Sequence, residues 1–240
     1  MWAVERFEKV HALAGPRKRL GLDAADRVLE TLCLKSGYDS DGMGIRTLIG
    51  PAAWARLAPA IKDRFGTSPK EGEVRIYSGI MEKVACTWFG LALAHVGRVL
   101  GAPMAWKTGR NVPCDVHVYA DPDGGVVWER RYAFTGVSEI VAKTTKRCDG
   151  RGRLLECFGR HAGMTLKVYE ENGELHFMSE DFFLRLGNWK LVLPSVVSPG
   201  TLHVVQKCEG GGNFRFTMDV DHPWLGRVAA QDGVFREAGT

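Results

Sequence analysis

Neither Gly-x-Gly-x-x-Gly nor Gly-x-x-x-x-Gly-Lys occurs anywhere in the chain, so its glycines build no phosphate cradle and no nucleotide cofactor is expected. A Gly-x-Ser-x-Gly elbow is also missing, which removes the strand-turn-helix serine nucleophile. The seven histidines never form His-x-x-x-His or His-x-His, and the six cysteines never form Cys-x-x-Cys, so no structural zinc is expected. Cys33, Cys86, Cys114, Cys148, Cys157 and Cys208 mostly fall in apolar strand or helix patterns, as reduced and buried thiols do. Tyr38-Asp39-Ser40-Asp41-Gly42 starts like a calcium loop, but Met43 and Gly50 occupy ligand positions, so a turn is expected. A net charge of +4 with scattered Lys and Arg argues against nucleic acid as a partner. Glu5 and Glu8 stand where an export signal would be basic and then apolar, so the expected location is cytoplasmic. The expected cofactor and metal content is none.

The chain is organised around Glu73 to Trp106. Glu73–Val84 alternates like a strand, whereas Cys86–Leu100 is apolar almost all round, interrupted only by Thr87, His95 and Arg98. Such a helix must be covered on every side, as a buried plug, a lid or a membrane segment. Gly90, Gly97, Gly101, Pro103 and a mid-span Arg98 weigh against spanning, so membrane contact is not expected. Before this stretch the pattern is helical. Val4–Leu13 and the Asp23-capped run through Leu32 are amphipathic, and a helix from Pro51 carries Trp54, Leu57, Ile61 and Phe65 on one face until Gly66. After it, turn clusters at 121–125, 149–152, 171–173 and 210–212 separate short strands, about ten in all. Tight turns pair sequence neighbours antiparallel, and so many strands must close or split to avoid long edges. The expected fold is mainly β with N-terminal helices: a closed or nearly closed antiparallel up-and-down barrel, lipocalin/calycin-like, with a helical insertion after the first strand. A helix-grip fold is disfavoured because Arg227–Thr240 contains Gly233 and no apolar stripe. Residues 1–50 are expected to be a helical extension packed on a barrel domain of residues 51–240.

Gly79-Ile80-Met81-Glu82, Trp128-x-Arg130-x-Tyr132, Gly159-Arg160-His161, Leu186-Gly187 with Leu193-Pro194 and Pro199, and His222-Pro223-x-x-Gly226 occur in that order. Their order and spacing resemble the uncharacterised domain-of-unknown-function family 4166, over roughly Pro51 to Ala238. Members of that family often follow nucleotide-dependent dehydrogenase-like domains. Its usual aromatic-x-Gly near the end is replaced here by Gln231-Asp232-Gly233. The resemblance implies a domain boundary and carries no activity.

Function must then come from polar residues placed among apolar ones. On Val126–Phe134 one face carries Trp128, Arg130, Tyr132 and Phe134, and this aromatic face is expected inside. A buried Arg130 needs an acid or a ligand anion. Glu82 is the acid expected to pair with it, and His161, after a Gly-x turn, is placed within reach of the same cavity; these three are the candidate catalytic residues. The alternative is that Arg130 ties strands on the outside to Glu129, Glu156 or Asp115, and that His161 is an exposed turn residue. His117 and His203 share strand faces with charged residues and read as solvent-facing. Trp88, Trp128, Tyr132, Phe134 and Trp189 are the candidate ligand-binding residues. Two function classes remain with an apolar small molecule as partner. One is a cofactor-independent cyclase or isomerase acting on a polyketide- or terpenoid-like substrate; the other is a passive carrier of a lipophilic molecule. A membrane-surface protein using Cys86–Leu100 is a third, minor reading. The oligomeric state is left open.

Overall fold

A computed structural model describes residues 44–91, 107–149, 152–186, 189–194 and 198–239. The helices expected before residue 44, the turn at 38–42, and the apolar stretch beyond Leu91 lie outside the described residues.

Three short helices precede the sheet: α1 (Ile45–Ile49), α2 (Pro51–Arg56) and α3 (Pro59–Phe65). The single helix expected from Pro51 to Phe65 is therefore broken. Proline at 59 disfavours helical geometry for the residue before it, and Ala58 is extended, with φ −58° and ψ 141°. Pro51 and Pro59 each sit in a first helical turn, where a missing N–H costs nothing. The apolar stripe survives the break, since Leu57, Ile61 and Phe65 are all buried, and Ile45 of α1 joins them.

Eleven strands follow: β1 (Val74–Cys86), β2 (Gly109–Ala120), β3 (Val126–Tyr132), β4 (Ile140–Cys148), β5 (Leu154–Phe158), β6 (Ala162–Glu171), β7 (Glu174–Leu186), β8 (Trp189–Val192), β9 (Thr201–Gly210), β10 (Asn213–His222) and β11 (Gly226–Glu237). Each strand pairs antiparallel with its neighbours in the order β1 to β7, then β9, β10, β11 and back to β1. With β8 set aside as a short hairpin on β7, the remaining ten strands form a closed barrel. Closure by β1 and β11 leaves neither strand with an unpaired edge facing water. The final segment is thus a strand, which removes the helix-grip alternative.

The barrel has two unlike ends. At one, Ala58 N–H donates to the Gly173 carbonyl in the β6–β7 turn (3.1 Å) and Arg56 pairs with Glu170 (2.6 Å), so the helices are tied across it. Phe65 then enters as a plug, stacked 5.8 Å from Trp128 and tilted 5.8 Å from Phe177. At the other end β1 runs on to Cys86, two residues further than its alternation implied, and a helix begins at residue 88. Thr87 caps that helix: its hydroxyl accepts from Gly90 N–H (3.2 Å) and its carbonyl from Leu91 N–H (2.8 Å). Among the described residues no helix is long and apolar enough to cross a membrane.

Closure depends on Gly79. A Cβ there would collide with the Val234 carbonyl oxygen and sit 2.8 Å from Phe235 Cα, on the strand that seals the barrel. Gly79→Ala is expected to lower stability by about 1–3 kcal/mol, because the rigid ladder cannot yield to the added atom. The measurement is the urea midpoint. An unchanged midpoint would mean that the β1–β11 seam is more compliant than this contact allows.

Candidate ligand-binding site

A cavity of ≈ 240 Å³ runs along the barrel axis from the Phe65 plug toward the opposite end, where Gly90, Leu184, Pro199, Val220 and Val228 border it. One water needs roughly 10–15 Å³ of such space, so the void has room for many waters. Its walls are mainly apolar, with Trp128, Tyr132, Met164, Phe177, Phe216 and Met218 among them. Water there would find few partners.

The polar groups in this wall come from five strands, β3, β4, β5, β9 and β11. Lys146 on β4 lies directly opposite Glu156 on β5, and their side chains form an ion pair at 3.0 Å with both 7% exposed. Burial pushes the Glu156 carboxyl up, but Lys146, Arg130 and the Thr144 hydroxyl together outweigh that and hold it below its ordinary value. Burial lowers Lys146, and Glu156 opposes the shift. At 3.0 Å inside the barrel each charge offsets part of the other's burial cost. Lys146 Nζ also sits 5.5 Å from the Trp128 ring centre and 5.8 Å from that of Phe177, directly above the plug.

Arg130 on β3 faces the same cavity, its guanidinium 5.7 Å from the Phe216 ring centre. Among the described residues it makes neither a hydrogen bond nor an ion pair. Tyr132, next on that inward face, donates to Gln231 Oε1 (2.9 Å) on β11, and burial raises its hydroxyl above the ordinary tyrosine value. On β9, Gln206 Oε1 accepts from Arg64 Nη2 (3.0 Å). Arg64, set over the Phe214 ring at 3.5 Å, is pulled down to about 10 by burial.

The expected inward face of β3 is the observed one: Trp128, Arg130 and Tyr132 border the cavity, and Phe134 is buried with its ring stacked 6.0 Å from Tyr132. Glu82 is not Arg130's partner. It sits at the β1 bulge between Met81 and Lys83, on the outer surface, bonded to Arg215 at 3.0 Å. Met81 points inward, so the next residue must point out, and the bulge leaves Lys83 outside as well. His161 lies exposed in the β5–β6 turn and does not border the cavity, because the hairpin turns outside the barrel wall. Trp88 is 77% exposed and packs edge-on to Phe89 instead of lining the interior. Trp189 lies on β8, outside the closed barrel, and its side chain is not among the described ones. His203 lies on the outer face with Tyr169 and His176, its Nε2 3.2 Å from the Tyr169 hydroxyl and 3.1 Å from His176 Nδ1.

The sequence reading missed Lys146, Gln206 and Gln231, and named Glu156 only in the alternative, as one possible outside partner of Arg130. Thr144, Thr145 and Lys146 are all buried, so alternation along β4 does not reveal its inward face. A signal did exist in the hairpin. Asp149 N–H donates to the Arg153 carbonyl, and counting outward from that turn brings 146 opposite 156. Among the described residues no group of three or more His, Cys, Asp and Glu converges as metal ligands would.

Arg130 acts on both members of the buried pair, which makes single losses unequal. Glu156→Leu leaves two cations facing each other and is expected to cost about 3–5 kcal/mol; Lys146→Met leaves Glu156 with Arg130 and should cost less. Lys146→Met with Glu156→Leu should fall within about 1–2 kcal/mol of the parent. The folded value of Glu156 lies below its ordinary 4.5, so its contribution is present above that pH and lost as pH falls through the folded value. The double variant should accordingly lose stability less steeply in acid. Denaturant melts at pH 7 and between pH 5 and 3 check both points; equal costs for the two single variants would refute the coupling to Arg130.

Comparison with curated proteins returned no match, and comparison with solved structures likewise returned none. The family described as Domain of unknown function (DUF4166) matches residues 57–235, which covers α3, β1 to β10, most of β11 and every residue that borders the cavity. The chain therefore belongs to the DUF4166 family.

Proposed function

We propose that the barrel is a binding domain for an apolar small molecule held in the axial cavity. The observation that carries this reading is the cavity itself, a ≈ 240 Å³ apolar space with a few convergent polar groups inside a closed barrel. Small-molecule sites have this composition, because apolar walls supply affinity and a few polar groups supply orientation.

Catalysis is a second reading, favoured by the Lys146–Glu156 pair in the lining. A cofactor-independent cyclisation or isomerisation needs a proton donor and acceptor beside an apolar substrate. Lys146, lowered by burial, is the donor in this reading, and Glu156 is the acceptor. It replaces the expected trio of Glu82, Arg130 and His161, of which only Arg130 borders the cavity.

Native mass spectrometry of the purified protein is expected to show a bound small molecule that leaves on denaturation. Restoring it at a hundred times its Kd should stabilise the fold by about 2.7 kcal/mol, a rise in Tm of roughly 5–10 °C. A spectrum of bare protein, together with no melting shift across a library of apolar compounds, would overturn the binding reading. Conversion of the bound molecule by the parent but not by Lys146→Met/Glu156→Leu, with binding kept in both, would decide for catalysis.

A further inference from the structure

We infer that the molecule taken up by the barrel carries a carboxylate, received by Arg130 with Gln206 and Gln231; this rests on the reading of the barrel as a binding domain. Formal charge motivates it. Among the described lining residues Glu156 is the single acid, and it faces two cations, Lys146 and Arg130. Lys146 takes the carboxylate at 3.0 Å, which leaves the Arg130 guanidinium over an aromatic ring with no protein anion bonded to it. A guanidinium drawn from water and left uncompensated is costly. A ligand anion relieves that cost, and a carboxylate matches the guanidinium fork with two parallel hydrogen bonds and one negative charge.

Two amides extend the same receptor. Arginine only donates, so the bond from Arg64 fixes the Gln206 oxygen toward α3 and leaves its NH₂ group as a free donor. The Tyr132 hydroxyl donates to the Gln231 oxygen at 2.9 Å, which turns that amide's NH₂ group away from it. Both glutamines border the cavity, at 5% and 8% exposure, and among the described residues neither amide nitrogen has an acceptor. They converge on Arg130 through the fold. Phe216, paired with Gln206 across the β9–β10 ladder, carries the Arg130 guanidinium over its ring, and Tyr132, which holds Gln231, is the next inward residue after Arg130. Arg130, Gln206 and Phe216 also border a small side pocket of ≈ 20 Å³, which places the head group beside that pocket and leaves the apolar tail to extend toward Val220 and Val228. Every donor in this set donates, which selects an acceptor-only anion over an alcohol, an amide or an amine.

The test uses linear alkanoates of eight to fourteen carbons, the matching alkan-1-ols and the matching alkyltrimethylammonium salts, each titrated calorimetrically against the delipidated full chain. The parent is expected to bind the best alkanoate at least about 10-fold more tightly than the equal-length alcohol, with the ammonium weakest. Arg130→Met should weaken the alkanoate at least about 10-fold and the alcohol far less, with a far-ultraviolet spectrum like the parent's as the check that the variant is folded. Arg130→Lys, which keeps the charge and loses the fork, should recover part of the preference. Equal affinity of acid and alcohol for the parent, or an acid preference that survives in Arg130→Met, would overturn the head-group assignment while leaving the binding reading intact. Failure of all three series to bind the parent would overturn the binding reading and this inference with it.

Discussion

The seam between β1 and β11 is the constraint on which the rest of the structure depends. A sheet of this many strands with free first and last edges would offer unpaired backbone groups to any neighbour. Pairing β1 with both β2 and β11 removes those edges. It also forces the strands to curve around a common axis, so one face of every strand becomes interior. Gly79 is the local condition for that seam, because only a residue without a Cβ lets the Phe235 backbone come so close.

Closure creates an interior that must be filled. One end is filled by the chain itself: α3 inserts Phe65 between Trp128 and Phe177, and Ile45, Leu57 and Ile61 complete the cover. The middle is left as a cavity, and its polar groups are arranged in pairs that restrict one another. Arg64 orients Gln206, Tyr132 orients Gln231, and Lys146 and Glu156 compensate each other. Among the described residues Arg130 is bonded to no anion, and its charge acts on Tyr132, Lys146 and Glu156 alike. In a low-dielectric interior a charge acts over a longer range than it does in water.

Much of the architecture was legible in the chain. Turn clusters at 121–125, 149–152, 171–173 and 210–212 stand between the observed strands, because Gly, Asn and Asp satisfy tight hairpins locally. Gly124, Gly173 and Gly211 take the positive φ angles that such turns require. The inward face of β3 was legible too, since Trp128, Arg130 and Tyr132 recur with the period of a strand. The break at Ala58 was written as Pro59, but the apolar stripe of Leu57, Ile61 and Phe65 masked it by reading through.

The polar interior was decided only by the tertiary structure. Alternation says which residues share a face, and it fails where both faces are covered, as at Thr144, Thr145 and Lys146. Whether a charge such as Glu82 or Glu156 ends inside depends on the bulge at Met81/Lys83 and on the hairpin register, both properties of paired strands. Arg130, Gln206 and Gln231 border one cavity from β3, β9 and β11, strands far apart in the chain that only closure brings around one space. By itself the sequence determined a helical start, a run of antiparallel strands and an aromatic inner face, because turn chemistry and side-chain period act over a few residues. The charge inside the barrel was settled by closure, because it depends on which distant strands face each other across the axis.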